Sequence, residues 1–259
     1  MQEFNKSDHW DAGAEHYEKT AHPFTSRYAE AALAHVALTS RSQVLDIAAG
    51  TGALAFAAAR TGAQVLATDF SPGMVARIAR AGLPNVAVKV MDGQSLDVPD
   101  ASFDAVFSIF GVFMFPDWRK GLSEMARVTR PGGKGVVATW QKRGAGSFML
   151  LGDVLQKLFP DRGIAAIPEA MLLLSDPGNF ARELVNAGFR DPQVEYVTYD
   201  FDLNLDALAD PDKLFGPSPD WNNLNSAQKT AVIAEIQQTA DNKPILPIPS
   251  TALIAVASR

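Results

Sequence analysis

The sequence contains no cysteine. That excludes a disulfide scaffold, a thiolate nucleophile and a cysteine-ligated zinc site. A reduced, cytoplasmic setting is the expected one, which the absence permits rather than demands. Histidine is scarce and unevenly placed: all four, His9, His16, His22 and His35, lie in the first 35 residues. A histidine base can therefore come only from the amino-terminal segment. No apolar run approaches the ~18 residues that a membrane-spanning helix needs. The start, Met1-Gln2-Glu3-Phe4-Asn5, lacks the basic and apolar regions of a signal peptide, so no leader is expected. Dense Lys/Arg runs are missing too. With a net charge of −6, the chain is not expected to carry a nucleic-acid footprint.

What is present is ample apolar material, 47% of 259 residues, enough for a packed core. The rest of the chain is organised around Val44–Ala55, VLDIAAGTGALA. A short apolar run carries an acid, Asp46. A small-residue turn follows, and then an alanine-rich helix. Glycines there let a ligand lie directly on the main chain, and the helix start favours an anionic group.

Further units repeat the rhythm. Strands are expected at 43–47, 64–68, 86–90, 103–109 and 135–140, with helices between them, one opening at Ser71-Pro72 and another spanning roughly 118–129. Pro131-Gly132-Gly133 reads as a sharp turn. This alternation implies a mostly parallel sheet with helices on both faces. A helix is also expected from Ser26 to about Leu38, preceded by a ring-rich segment that reads as a lid. After Trp140 the alternation stops, and 141–175 reads as a helical cap insertion. A helix from Asp176-Pro177 to Gly188 follows, then a strand over 194–201 and an irregular stretch over 204–225. Ser226 is expected to cap a helix to about Ala240, Asn242–Pro249 to form a proline-rich link, and 251–257 to form the last strand. The late strands fit an antiparallel edge.

Asp46, Asp69 and Asp92 each sit at or just past a strand end, so all three should rim one crevice at the carboxyl ends of the strands. Asp69, 19 residues after Gly50, could accept from both hydroxyls of a ribose. Asp92 lies where an adenine amino group could reach. Asp46 would repel a pyrophosphate but suits a cationic amino group. Gly50-Thr51-Gly52-Ala53-Leu54-Ala55 nevertheless satisfies the loose dinucleotide pattern G-x-G-x-x-A, so an NAD(P)-dependent oxidoreductase stays open on the loop alone.

Over about residues 8–140 the chain resembles a class I S-adenosylmethionine-dependent methyltransferase, of the broad group with the ubiquinone and menaquinone C-methyltransferases. The resemblance is carried by VLDIAAGTG, by ATDFSPGMV (Ala67–Val75), by MDGQSLDVPDASFDAVFS (Met91–Ser108) and by RVTRPGGKGVVATW (Arg127–Trp140). The early WDAGAEHYEKTAHPFT resembles the lid of small-molecule members. One departure is Ala48, which stands where the family has the first glycine of G-x-G-x-G.

The resemblance implies a Rossmann-like seven-stranded α/β sheet with an antiparallel edge strand, a lid and a cap. Its parts would be 1–40 (lid and first helix), 41–140 (cofactor-binding core), 141–175 (cap) and 176–259 (completion of the sheet, with helix 226–240), all in one domain. It implies S-adenosyl-L-methionine as cofactor. Asp46, Ala48, Gly50 and Gly52 would hold its methionine end, and Tyr17 would be a further cofactor contact. Asp69, Phe70 and Met74 would hold the ribose and adenosine. Asp92, Gly93 and Gln94 would flank the adenine. Ile109 and Phe110 would lie under the sulfonium. Substrate contacts are expected from Trp10, Phe24, Phe113, Phe115, Trp140 and the segment from Phe148 to Leu158.

These rings imply a small hydrophobic or aromatic acceptor, such as a quinone or a polyketide, alkaloid or terpenoid secondary metabolite. The zero cysteine count argues against the arsenic-methylating relatives. The reaction would be in-line methyl displacement through alignment and water exclusion. His22, or after it His9, is the candidate base, and no metal is expected. A homodimer is compatible with the sequence. A cofactor-binding regulator and a methyltransferase-fold cyclase remain as alternatives.

Overall fold

The computed structural model describes residues 6–141, 146–162, 167–216, 218–241 and 243–259. The cap insertion is therefore described only in part, and Asn242 and the side chain of Phe148 lie outside the described residues.

The chain opens with α1 (Ser7–Leu33), followed by β1 (Gln43–Ile47), α2 (Ala53–Ala59), β2 (Gln64–Asp69), α3 (Pro72–Arg80), β3 (Val86–Val90) and β4 (Phe103–Ile109). Next come α4 (Trp118–Val128), β5 (Thr129–Trp140), α5 (Gly146–Leu158), α6 (Glu169–Leu174), α7 (Pro177–Asn186) and β6 (Arg190–Asn204). The short helices α8 (Pro211–Phe215) and α9 (Pro219–Asn222), then α10 (Ser226–Ala240) and β7 (Ile245–Ser258), complete it.

The seven strands form one sheet in the order β3-β2-β1-β4-β5-β7-β6. Strands β1 to β5 pair in parallel. Strand β7 runs antiparallel to β5: Gly132 and Gly133 bond Arg259, whereas Gln141 bonds Thr251. It is antiparallel to the edge strand β6 as well, since Thr198 meets Thr251 and Leu205 meets Pro244. The expected Rossmann-like α/β class with an antiparallel edge is what the sheet shows.

By contacts the chain divides into two units, Met1–Thr139 with Pro168–Val197 and Ala252–Arg259, and Trp140–Ile167 with Thr198–Thr251. In the first unit, Val44, Val65, Ala67, Ala105, Phe107 and Ala138 present one sheet face to Ala29, Ala32, Leu54 and Ala58 of α1 and α2. Alanines on both helices let them lie close to the strands. In the second unit a separate core gathers Leu151, Leu155, Phe215, Trp221, Val232 and Ile236.

Four local expectations are corrected. Helix α1 begins at Ser7 and runs through Pro23, and it ends at Leu33, not near Leu38. The proline costs one ladder bond, and the hydroxyls of Thr25 and Ser26 bond carbonyls around it. Pro131-Gly132-Gly133 lies inside β5 and is absorbed by a register shift, Thr129 facing Phe103 and Lys134 facing Ala105. Strand β7 starts at Ile245, so most of the expected link is strand, with β5 and β6 as its neighbours. Asn225, not Ser226, caps α10, in a reciprocal box with Gln228.

Candidate active site

The site forms in the first unit at the carboxyl ends of β1 and β2. Asp46 lies on β1 and is 2% exposed. Its Oδ2 accepts the Ala55 N–H at 3.0 Å, in the first turn of α2. The turn between them runs through two left-handed residues, Ala48 (φ 54°) and Gly50 (φ 55°), and α2 then opens from left-handed Gly52 (φ 94°) with no side-chain cap. Ala49 donates to Thr68 O at 2.9 Å, which fixes the turn to the end of β2. Asp69, at that strand end, accepts from Gly50 N through Oδ2 and from Ser71 N through Oδ1, both at 2.9 Å. The two carboxylates thus hold the same loop from adjacent strands.

Their electrostatics follow from burial. Asp46 is pushed up from an ordinary 3.8 to about 8, chiefly because water is excluded; the Ala55 N–H opposes this and the Asp69 charge adds to it. Asp69 is pushed up to about 6 by burial and, more weakly, by the Asp11 charge, against backbone donors from Ser71, Gly50 and Phe70. A buried carboxyl with one backbone donor, Asp46, beside a second buried carboxyl, Asp69, suits a ligand that brings an ammonium group and hydroxyls. A pyrophosphate would add negative charge beside them, so the arrangement does not fit a dinucleotide.

Tyr17, Thr25, Asp46, Gly50, Thr51 and Ile109 line one cleft, with Ala48, Ala49, Ala53 and Leu54 completing the wall. Tyr17 comes from α1 and lies beside Gly50, its ring edge 3.6 Å from where a Cβ would stand. Burial, reinforced by Asp69 and Asp46, raises the Tyr17 phenol. Thr25 and Thr51 were not singled out from the sequence. Thr51 sits inside the glycine turn, and its only signal was that position.

The remaining candidates are placed as follows. Phe70 is half-buried after β2, and Met74 is 1% exposed on α3. Asp92 is exposed past β3 and accepts from Gln94 N and Nε2 at 2.9 and 3.0 Å, while Gln94 Oε1 accepts from Asp117 N. Gly93 is closed off by Phe115 and Ile47. Phe110 has a left-handed φ of 64°, rare for a bulky residue, and its ring meets Tyr28 edge-on at 5.4 Å. Tyr28 in turn meets Phe24 at 5.3 Å. Trp10 stands edge-on to His9 and to Tyr17. Phe113 is buried, and Phe115 packs against Gly93 and Gly121. Trp140 ends β5 and belongs to the second unit. His22 Nδ1 lies 2.7 Å from Thr51 Oγ1, and burial holds the ring below its usual range, against the opposing pull of Glu18. Among the described residues there is no His/Cys/Asp/Glu cluster able to hold a metal ion, and no helix is long and apolar enough to cross a membrane.

A family model described as a methyltransferase domain matches residues 44–133. The demethylmenaquinone methyltransferase of Corynebacterium efficiens is 37% identical over 167 residues, 61% of this chain and 71% of that protein. Among solved structures, the YcgJ protein of Bacillus subtilis superposes with a TM-score of 0.59 at 20% identity, covering 90% of this chain and 99% of that one. A Haemonchus contortus phosphoethanolamine N-methyltransferase, solved with S-adenosylhomocysteine, does so at 0.59 and 18%, covering 99% and 60%. The family model and the relative support S-adenosyl-L-methionine as cofactor and methyl transfer onto a small molecule, and the solved structures share the fold. The chain belongs to the class I S-adenosylmethionine-dependent methyltransferases, in the group that resembles the ubiquinone and menaquinone C-methyltransferases.

Proposed function

We propose that the acceptor is a small apolar aromatic ring of the quinol class, methylated at carbon. The observation that carries this is the 37% identity to a demethylmenaquinone methyltransferase over 71% of that protein. When bound, the cofactor supplies an electrophilic methyl group on a sulfonium that leaves as a neutral thioether. Everything else falls to the chain. Asp46 holds the ammonium group, and the main chain from Ala48 to Gly52 seats the methionine end with Tyr17. Asp69 holds the ribose hydroxyls, with Phe70 and Met74 beside the adenosine. Asp92, Gly93 and Gln94 border the adenine. Ile109 and Phe110 form the floor below the reacting carbon.

Trp10, Phe24, Phe113 and Phe115 are the acceptor contacts we assign in the first unit, and Trp140 is assigned the same role on the sequence alone. Alignment in a dry cleft lowers the barrier, by roughly 7–11 kcal/mol in favourable systems. A quinol must lose a phenolic proton as its ring carbon attacks. His22, uncharged at neutral pH because it is partly buried, is the candidate acceptor for that proton, with His9 second. We assign 1–40 as lid and first helix, 41–140 as cofactor core, 141–175 as cap and 176–259 as the completion of the sheet. We assign a cytoplasmic setting, which the missing cysteine permits, and no nucleic-acid partner, which the net charge of −6 disfavours; a homodimer is compatible with both.

Methyl-labelled cofactor, incubated with a reduced demethylmenaquinone analogue and a panel of O- and N-acceptors, tests the acceptor. Label in a ring C-methyl is expected, and transfer confined to oxygen or nitrogen acceptors would overturn the reading. A His22→Ala variant with an unchanged rate and pH profile would remove His22 from the chemistry.

A further inference from the structure

Four residues of α1, Asp11, Glu15, Glu18 and His22, recur at helical spacing and so share one face. Each of them is bonded to the cradle or to the helix beside it. Asp11 Oδ1 accepts from the Ser71 hydroxyl and from Gly73 N, the latter at 2.7 Å. Gly73 N is one of the N–H groups that the first turn of α3 leaves without an intrahelical partner. The approach is so close that a Cβ on Gly73 would stand 2.9 Å from the Asp11 backbone. Arg77, one turn further along α3, bonds Glu18 at 2.5 Å and Glu15 at 3.3 Å. His22 meets Thr51 of the glycine turn at 2.7 Å.

The Asp11 contact does not stop at α3. Ser71, whose hydroxyl Asp11 accepts, donates its N–H to Asp69, and Asp69 accepts from Gly50. A continuous chain of bonds therefore runs from α1 through the cradle acid to the glycine turn. At the other end of this polar face stands Pro23, which removes a ladder bond from α1. The hydroxyls of Thr20, Thr25 and Ser26 bond back to the carbonyls of His16, Ala21 and His22, all ahead of the proline. That combination marks the weak point at which a helix bends.

We propose that Asp11 and Arg77 are positioning residues that clasp residues 7–22 of α1 onto the cofactor cradle, and that this clasp opens about Pro23 whenever the cofactor exchanges. The proposal rests on the assignment of the cofactor to this cradle. With the clasp shut, Tyr17 covers Gly50 and Asp11 fixes Ser71 beside Asp69. With it open, both acids are exposed to solvent and to incoming cofactor.

The test is the dissociation rate of S-adenosylhomocysteine from the full chain, by stopped-flow tryptophan fluorescence, alongside steady-state kinetics. Asp11→Ala and Arg77→Gln each remove charge-assisted bonds, so dissociation should accelerate about tenfold or more, with KM for the cofactor rising further than kcat falls. Asp11→Asn keeps an acceptor oxygen and should restore most of the wild-type rate, a rescue that loss of general stability would not produce. Hydrogen exchange of the wild-type chain gives an independent reading. Residues 7–22 should exchange faster than 26–33 without ligand and gain protection on adding S-adenosylhomocysteine. Dissociation within twofold of wild type in both Asp11→Ala and Arg77→Gln, or exchange uniform along α1 and unmoved by ligand, overturns the clasp. Asp46→Asn separates the two levels of the argument. If it abolishes binding while the clasp variants behave as wild type, only the clasp falls; if it binds normally, the cradle assignment falls as well.

Discussion

Helices α2 and α10 begin in opposite ways. Helix α10, in the second unit, starts with a complete capping box: Asn225 accepts from Gln228 N at 2.9 Å and Gln228 returns a bond to Asn225 N at 3.0 Å. Helix α2, in the first unit, starts from a left-handed glycine with no side-chain cap. Its side-chain acceptor among the described residues is a carboxylate from the preceding strand, Asp46, which is buried at a cost to its own ionisation. Local rules are satisfied where a helix serves the fold alone, and broken where a ligand must complete it. Among the described residues, five non-glycines are left-handed, and two of them, Ala48 and Phe110, lie just past β1 and β4 at the end of the sheet that holds this buried acid, where we propose that the cofactor binds.

The contrast can be broken most severely at Asp46. Asp46→Asn should lower affinity for S-adenosylhomocysteine by on the order of 100-fold, the usual scale for losing one partner of a buried charged pair. Calorimetric titration measures it, and near-wild-type affinity would refute the contrast.

The second test is pH. Asp46 and Asp69 are raised in the folded state, from an ordinary 3.8 to about 8 and about 6. The folded chain therefore keeps protons that the unfolded chain has released. Stability contributed by these groups is fully present below about pH 4, and is lost as pH rises to about 8, with the Asp69 share gone by about 6. Urea unfolding of the ligand-free chain should show that decline, and Asp46→Asn should flatten it between pH 6 and 8.

At α10 the outcome should be the reverse of that at α2. Asn225→Ala should cost about 1 kcal/mol of stability and leave cofactor affinity unchanged. The smallest effect is expected at Ala48. Ala48→Gly relieves a left-handed alanine and should raise stability by about 0.5 kcal/mol, the strain relieved exceeding the extra freedom of the unfolded chain. Thermal unfolding distinguishes both from wild type.

Legibility followed the same division. The parallel core was readable because each strand is a short apolar run and each helix start carries its own signal, such as Ser71-Pro72 or Asp176-Pro177. Asp46, Asp69 and Asp92 were grouped because strand ends in a parallel sheet share one rim; Asp46 and Asp69 bond Ala55 and Gly50 after β1, whereas Asp92 bonds Gln94. What was not readable depends on partners distant in sequence. Pro131-Gly132-Gly133 resembles a turn until β4 and β7 lie alongside it. The proline-rich start of β7 passes for a link until β6 pairs with it. Pro23 looks like a boundary, yet the helix passes through it, with the hydroxyls of Thr25 and Ser26 bonding the carbonyls of Ala21 and His22 just ahead of it. Asp11 gave no sign at all, since its meaning lies in Ser71 and Gly73, some sixty residues on.

In the proposed cradle, Asp46 gives up its proton to meet the cationic end of the cofactor. Calorimetric binding of S-adenosylhomocysteine at pH 7, in two buffers of different ionisation enthalpy, measures that directly. About one proton should leave the wild-type chain per molecule bound, and almost none should leave Asp46→Asn. Binding without proton release in the wild type, or equal release in both, would contradict it.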